Sequence, residues 1–164
     1  MMDPDKNGVV ARVGASPIRR VFAFGVLFGL GALIILIAFV QPPGFALQVM
    51  LVTFGAVVLW VAERMRRATM TVIELTSEGL RDSTGVLDIP FDQMERVERG
   101  VFAMKPSNGF VLITRDKGPK GWAPGLWWRV GRRIGVGGVT AAGAGKFMAE
   151  QIALHLATQH PKGR

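Results

Sequence analysis

The chain of 164 residues has no cysteine and only two histidines, His155 and His160. Disulfides, thiolate nucleophiles and cysteine-ligated metals are therefore excluded, and any zinc chemistry would have to lean on carboxylates. The missing cysteine fits a reducing compartment. Acidic residues are scarce as well: 12 Asp and Glu stand against 20 Lys and Arg, a formal net charge of +8. From Arg64 onward the balance is 16 basic to 9 acidic residues, or +7. Such a basic segment suits anionic lipid headgroups or the acidic face of another protein. The basic residues show no nucleic-acid motif, so nucleic acid is not an expected partner.

Apolar residues make up 49% of the chain, and the mean hydropathy of +0.32 is high for a small soluble protein. They concentrate between Val21 and Ala62. Val21 to Val40 carries no charged or strongly polar side chain. At about 1.5 Å per residue this run is about 30 Å long, the thickness of a bilayer core. Gly44 to Ala62 is a second such run, polar only at Gln48 and Thr53. A buried helix of a soluble protein rarely stays apolar on every face for so long. The first run is too long for a signal-peptide core, and a second span follows at once, so cleavage is not expected.

Gln41-Pro42-Pro43 separates the runs, and its prolines cannot continue a helix. Two antiparallel spans joined by a tight turn follow. Arg12, Arg19 and Arg20 precede the first span, Arg64, Arg66 and Arg67 follow the second, and the turn is uncharged. The positive-inside rule then puts both termini in the cytoplasm, with Trp60 near the inner interface. Gly25 and Gly29 form a small-residue seam, extended by Gly31 and Ala32, that lets helix backbones approach closely. The seam has two uses: a partner helix, or, as the expected choice, this chain's own second span near Gly55 and Ala56.

After Arg67 the period shortens. Thr69, Thr71 and Ile73 alternate with Met70, Val72 and Glu74, as in a strand. Turns are expected at 77–79, 83–85, 105–109 and 116–120, with short strands between them and a longer one from Glu95 to Met104. Strands continue through Trp122 and Trp127 to Val130. Thr140 is a candidate N-cap for a helix from about Ala141 to Thr158, whose apolar stripe is Phe147, Met148, Ile152 and Leu156. The expected fold is a membrane α-helical hairpin followed by a mainly β, partly open barrel capped by a C-terminal helix. The boundaries are 1–20 for an N-terminal tail, 21–63 for the hairpin, 68–158 for the domain and 159–164 for a tail. Because its apolar residues alternate with polar ones, the segment from Thr69 onward is expected to fold without the hairpin.

The stretch "ELTSEGLRD" leading into "LDIPFDQMERVERG" resembles the bacterial pleckstrin-homology-like domains attached to membrane spans. Those domains carry an Ile-Pro-aromatic step with apolar residues three and six positions further on, matched here by Ile89, Pro90, Phe91, Met94 and Val97. The later segment "GWAPGLWWRVGRRIGVGG" is similar to a small alphaproteobacterial membrane-protein family. The resemblance covers about Thr69 to Leu156. It implies a fold and a bacterial inner-membrane setting more than an activity.

Motifs for catalysis are incomplete. Gly143-Ala144-Gly145-Lys146 suggests a P-loop, but Thr140 stands where its first glycine belongs and Phe147 where Ser or Thr would bind magnesium. Gly135-Val136-Gly137-Gly138-Val139-Thr140 nearly spells a dinucleotide fingerprint, but ends in Thr with no βαβ unit around it. His155 and His160, five apart, are poorly spaced for one helix face. Asp88 and Asp92 suit strand ends and turns better than an acid–base pair. No catalytic, cofactor or metal residue is assigned.

The segment from Trp122 to Gly138 is the candidate contact region. It holds Trp122, Trp127 and Trp128 beside Arg129, Arg132 and Arg133, spaced by glycines. Arginine suits phosphate and tryptophan suits a headgroup boundary. A loop that touches anionic lipid or an acidic partner fits this composition. A structural hairpin with core tryptophans and solvated arginines fits it equally. The expected function is a non-enzymatic, membrane-anchored interaction module that helps assemble or stabilise a membrane protein complex. The alternative is an anionic-lipid-binding module at the cytoplasmic membrane face.

Overall fold

A computed structural model describes residues 8–100 and 105–159, with Ala142 by its backbone alone. The chain opens with a strand, β1 (Val9–Gly14), and then enters two helices of 24 residues, α1 (Pro17–Val40) and α2 (Phe45–Ala68). Pro17 at the start of α1 costs nothing, because a first-turn N–H has no helical partner. Both helices are long and apolar enough to cross a membrane. They pack against each other as an antiparallel hairpin, with Gly31 and Gly55 in contact across it. A Cβ on Gly55 would stand 2.6 Å from Ile35 Cγ1 and 3.0 Å from the Gly31 carbonyl, so only glycine fits. Gln48, polar within an apolar helix, donates from Nε2 to the Ala38 carbonyl at 3.0 Å.

α2 does not stop at the end of its apolar run. Glu63 pairs with Arg66 at 2.6 Å and Arg67 at 2.7 Å, one turn on. The Thr69 hydroxyl then caps the Met65 carbonyl at 2.8 Å. Residues 69–71, expected in a strand, are thus the exit of the helix. Strand β2 (Val72–Thr76) follows directly, then β3 (Gly79–Asp82) and β4 (Asp88–Pro90). The turn between β3 and β4 is built on Asp82. Its Oδ1 accepts the backbone N–H groups of Thr84, Val86 and Leu87, and its Oδ2 accepts the Thr84 hydroxyl.

These strands form an antiparallel sheet of order β1-β2-β3-β4. β1 pairs with β2 in the register Arg12↔Glu74 and Val13↔Ile73, and buries Ala11 and Val13 in the core. The expectation of a plain tail over residues 1–20 is corrected here: residues 9–14 are an edge strand of the domain. The fold therefore adds residues before the hairpin to the domain expected at 68–158.

A 3-10 turn (Phe91–Gln93) carries the chain to a second antiparallel sheet. It contains β5 (Met94–Glu98), β6 (Phe110–Thr114), β7 (Gly121–Ala123), β8 (Trp127–Val130) and β9 (Arg133–Val136), in the order β5-β6-β9-β8-β7. The longer strand expected to reach Met104 is described only to Glu98; residues 101–104 lie outside the described residues. Ile89, Phe91 and Met94 of the Ile-Pro-aromatic step are all buried, which fixes the passage between the sheets.

The sheets do not close into a barrel. Ile73, Leu75, Leu80 and Ile89 of one sheet share a core with Phe110, Leu112, Ile134 and Val136 of the other. A C-terminal helix, α3 (Ala142–Gln159), covers the gap between β1 and β5 with Met148 and Ile152, both fully buried. Thr140 does not cap α3. Its hydroxyl is buried without a hydrogen-bond partner among the described residues, while its backbone bridges to Ala15 and its carbonyl accepts from Arg19 Nη1 at 2.9 Å.

Candidate functional site

The Trp- and Arg-rich segment forms β7, β8 and β9, and strand alternation sends its side chains in different directions. Trp127 is a core residue whose ring lies on Gly121, where a Cβ would come within 2.5 Å of Cη2. Trp128 lies on the opposite face of β8, half-buried over Gly135. Arg129 follows Trp127 inward and is only 9% exposed. Its guanidinium lies against Gly118, its Nε has no hydrogen-bond partner, and burial pushes its pKa below the usual arginine value.

Arg132 and Arg133 point elsewhere. Arg132 donates from Nε to the Thr114 carbonyl at 2.7 Å and pairs with Glu95. Arg133 pairs with Glu98 at 3.3 Å. Arg96 lies between the same carboxylates, bonded to both. Three arginines close in sequence therefore make no single basic patch: one is buried, and two are matched by acids of β5.

The fold gathers a different set around Trp122. This residue is 47% exposed and sits beside the end of α2, which packs on β7. Arg64 lies near two indoles, with its Cζ 5.6 Å from the Trp60 ring centroid and 5.8 Å from that of Trp122. Both distances fall within cation–π range. Trp60 and Arg64 are four residues apart and so share one face of α2. A groove of about 490 Å³ opens here between the β3–β4 turn and β7. Arg64, Arg67 and Lys120 line it with Val86, Trp122 and Trp127. The buried indole N–H of Trp127 has no acceptor among the described residues.

A second basic hollow, of about 440 Å³, lies beside the start of α3 and is lined by Arg99, Lys105, Asn108 and Lys146. Gly145 and Lys146 of the P-loop-like fragment line it, and the structure gives Gly145 another reason to be glycine. A Cβ there would stand 2.5 Å from the Asn108 carbonyl, so the residue allows α3 to approach the β5–β6 hairpin.

Gly25 and Gly29 do not face α2. Nothing among the described residues lies within 4 Å of where their Cβ atoms would be; of the expected seam, Gly31 is the member that meets Gly55. The other candidates are scattered. His155 stacks on Phe91 with centroids 3.8 Å apart, His160 lies outside the described residues, and Asp88 and Asp92 are exposed. Among the described residues no three His, Asp or Glu side chains come together as metal ligands would.

Sequence reasoning assigned Arg64 to topology and Trp60 to the interface, and gave Lys120 no role. The available signal was the four-residue spacing of Trp60 and Arg64. Comparisons of the chain with protein-family models, with curated proteins and with solved structures found no match.

Proposed function

We propose that this protein is a non-enzymatic, membrane-anchored interaction module. In this reading α1 and α2 span a bacterial inner membrane, both termini are cytoplasmic, and a pleckstrin-homology-like domain lies against the inner face. It helps to assemble or stabilise a membrane protein complex. The observation that carries the reading is the pairing of β1 with β2. Strands at the two ends of the hairpin are neighbours in one sheet, so both helices leave the domain on the same side. The Arg19 bond to the Thr140 carbonyl and the Ser16 N–H bond to the Val139 carbonyl brace the same junction. An anchor joined in this way holds the domain in a fixed orientation, as a docking platform requires. A module on one flexible tether would sample many orientations.

The alternative, recognition of anionic lipid, is favoured by one specific observation: the groove at Arg64, Lys120 and Trp122 lies at the end of the apolar run of α2. Purification in mild detergent, followed by identification of what stays bound, separates the two. A stoichiometric protein supports the interaction module. Anionic lipid alone supports the alternative. A substrate-dependent turnover by the purified chain overturns both.

A further inference from the structure

We infer that the groove between α2, the β3–β4 turn and β7 seats the phosphate of an anionic phospholipid from the adjoining leaflet. This rests on the reading that α1 and α2 span a membrane.

Height along the helix is the first support. α2 runs from Phe45 to Ala68, and about twenty residues cross a bilayer core. Counted from Phe45, the core ends near Arg64. Trp60 therefore lies at the inner boundary of the hydrocarbon, and Arg64, Arg67 and Lys120 lie in the headgroup layer. Exposed Trp60 and Trp122 are the side chains that such a boundary favours.

Unmatched charge is the second. Asp82, which lines the groove, and Glu63, beside it on α2, are already engaged. Glu63 is held by Arg66 and Arg67, and the Asp82 carboxylate is filled by its own turn. Arg64 and Lys120 have no acidic partner among the described residues. Among the described residues Arg64 makes one hydrogen bond, a long one of 3.5 Å from Nη2 to the Trp122 carbonyl. Its Cζ lies within cation–π distance of both indoles, and most of its N–H groups have no hydrogen-bond partner among the described residues. A planar fork suits a phosphate diester, and Lys120 adds a point charge.

The shape of the rim is the third. Val86, 72% exposed, and Trp122, 47% exposed, line the groove together with its basic groups. Below Trp60 the same face of α2 exposes Val57. Apolar below and cationic above is the order of an acyl chain and its headgroup. A soluble phosphate would gain nothing from the lower half.

The test uses the full chain in detergent, with native mass spectrometry reading bound dioleoyl-phosphatidylglycerol against dioleoyl-phosphatidylcholine. The wild type should prefer phosphatidylglycerol. At about a factor of five per lost charge, Arg64→Gln with Lys120→Gln should weaken that binding about thirtyfold and leave phosphatidylcholine unchanged. Arg81→Gln with Arg96→Gln removes equal charge elsewhere and should change neither. Lys120→Gln alone, at an exposed side chain outside the core, should still give about a fivefold loss if the double variant fails to fold.

The headgroup site is overturned if the wild type shows no preference, if the Arg64/Lys120 variant keeps it, or if the control loses it equally. It is also overturned if glycerol phosphate displaces the lipid at equal concentration, since the site would then be one for soluble phosphate. Alkaline carbonate extraction separates the premise: a chain released from membranes refutes the spanning helices themselves. A chain that resists extraction and fails the lipid test loses only the headgroup site.

Discussion

Arg12 and Glu74 face each other across two adjacent strands, with Nε and Oε1 3.2 Å apart, although 62 residues and a complete helical hairpin separate them in sequence. Arg81 reaches the same carboxylate from the third strand at 3.4 Å. Such exposed pairs contribute at most about 1 kcal/mol. Their significance is geometric: they mark the register that joins the start of the chain to the domain.

That register gives the first prediction. A fragment beginning at Thr69 lacks Ala11 and Val13, both buried, and exposes the pairing edge of β2. Burial of a valine side chain contributes about 1.5–3 kcal/mol. The fragment should therefore melt well below one in which residues 8–14 are joined to Thr71 by a short Gly/Ser linker in place of the hairpin. Circular dichroism melting of the two reads the difference. Equal midpoints would remove β1 from the stabilising core.

The second prediction concerns topology. The chain has no cysteine, so single cysteines report without background. Gln41→Cys, in the turn between the helices, should react with an impermeant maleimide in intact cells. Lys117→Cys, exposed in the domain, should react only after permeabilisation. The opposite pattern inverts the orientation, and equal labelling removes the span.

The third prediction separates the glycines of the hairpin. Gly55→Leu drives a side chain into Ile35 and should lower stability by about 1–3 kcal/mol, as overpacking does. Gly29→Leu enters open space and should stay within about 0.5 kcal/mol. Thermal unfolding in mild detergent, followed at the helical band, measures both.

Legibility in the sequence divided along the range of the interactions. The hairpin was readable because each helix is defined by its own apolar run and bounded by Pro42 and Pro43. The turns at Ser83-Thr84-Gly85 and around Asn108 were readable from local chemistry; Asn108 adopts a φ of 56° and Gly85 one of 75°. β1 was not readable, because a six-residue strand gains its meaning from a partner beyond the hairpin. β9 was hidden behind its glycines. Gly135 reads as a breaker until the Trp128 indole is seen to occupy the space of its missing side chain. The burial of Arg129 depends likewise on Gly118, eleven positions back. The groove joins residues 58 apart, Arg64 and Trp122, and no local pattern announces it. The segment richest in Trp and Arg did supply two members of it, Trp122 and Trp127, while Arg132 and Arg133 were neutralised by Glu95 and Glu98.

The arrangement of β1, α1, α2 and β2 also sets an order of events during synthesis. β1 leaves the ribosome first and has nothing to pair with until β2 emerges, after the whole hairpin. Loop closure over an unstructured chain of that length is entropically slow. Once the two helices have zipped together at Gly31 and Gly55, they bring Gly14 and Val72 side by side, and the closure is already made. The hairpin thus acts as the turn of an enlarged β-hairpin. Completion of the sheet reports that the helices have found each other, and a nascent chain whose helices fail to pair keeps a naked strand edge, the kind of surface that chaperones and proteases recognise.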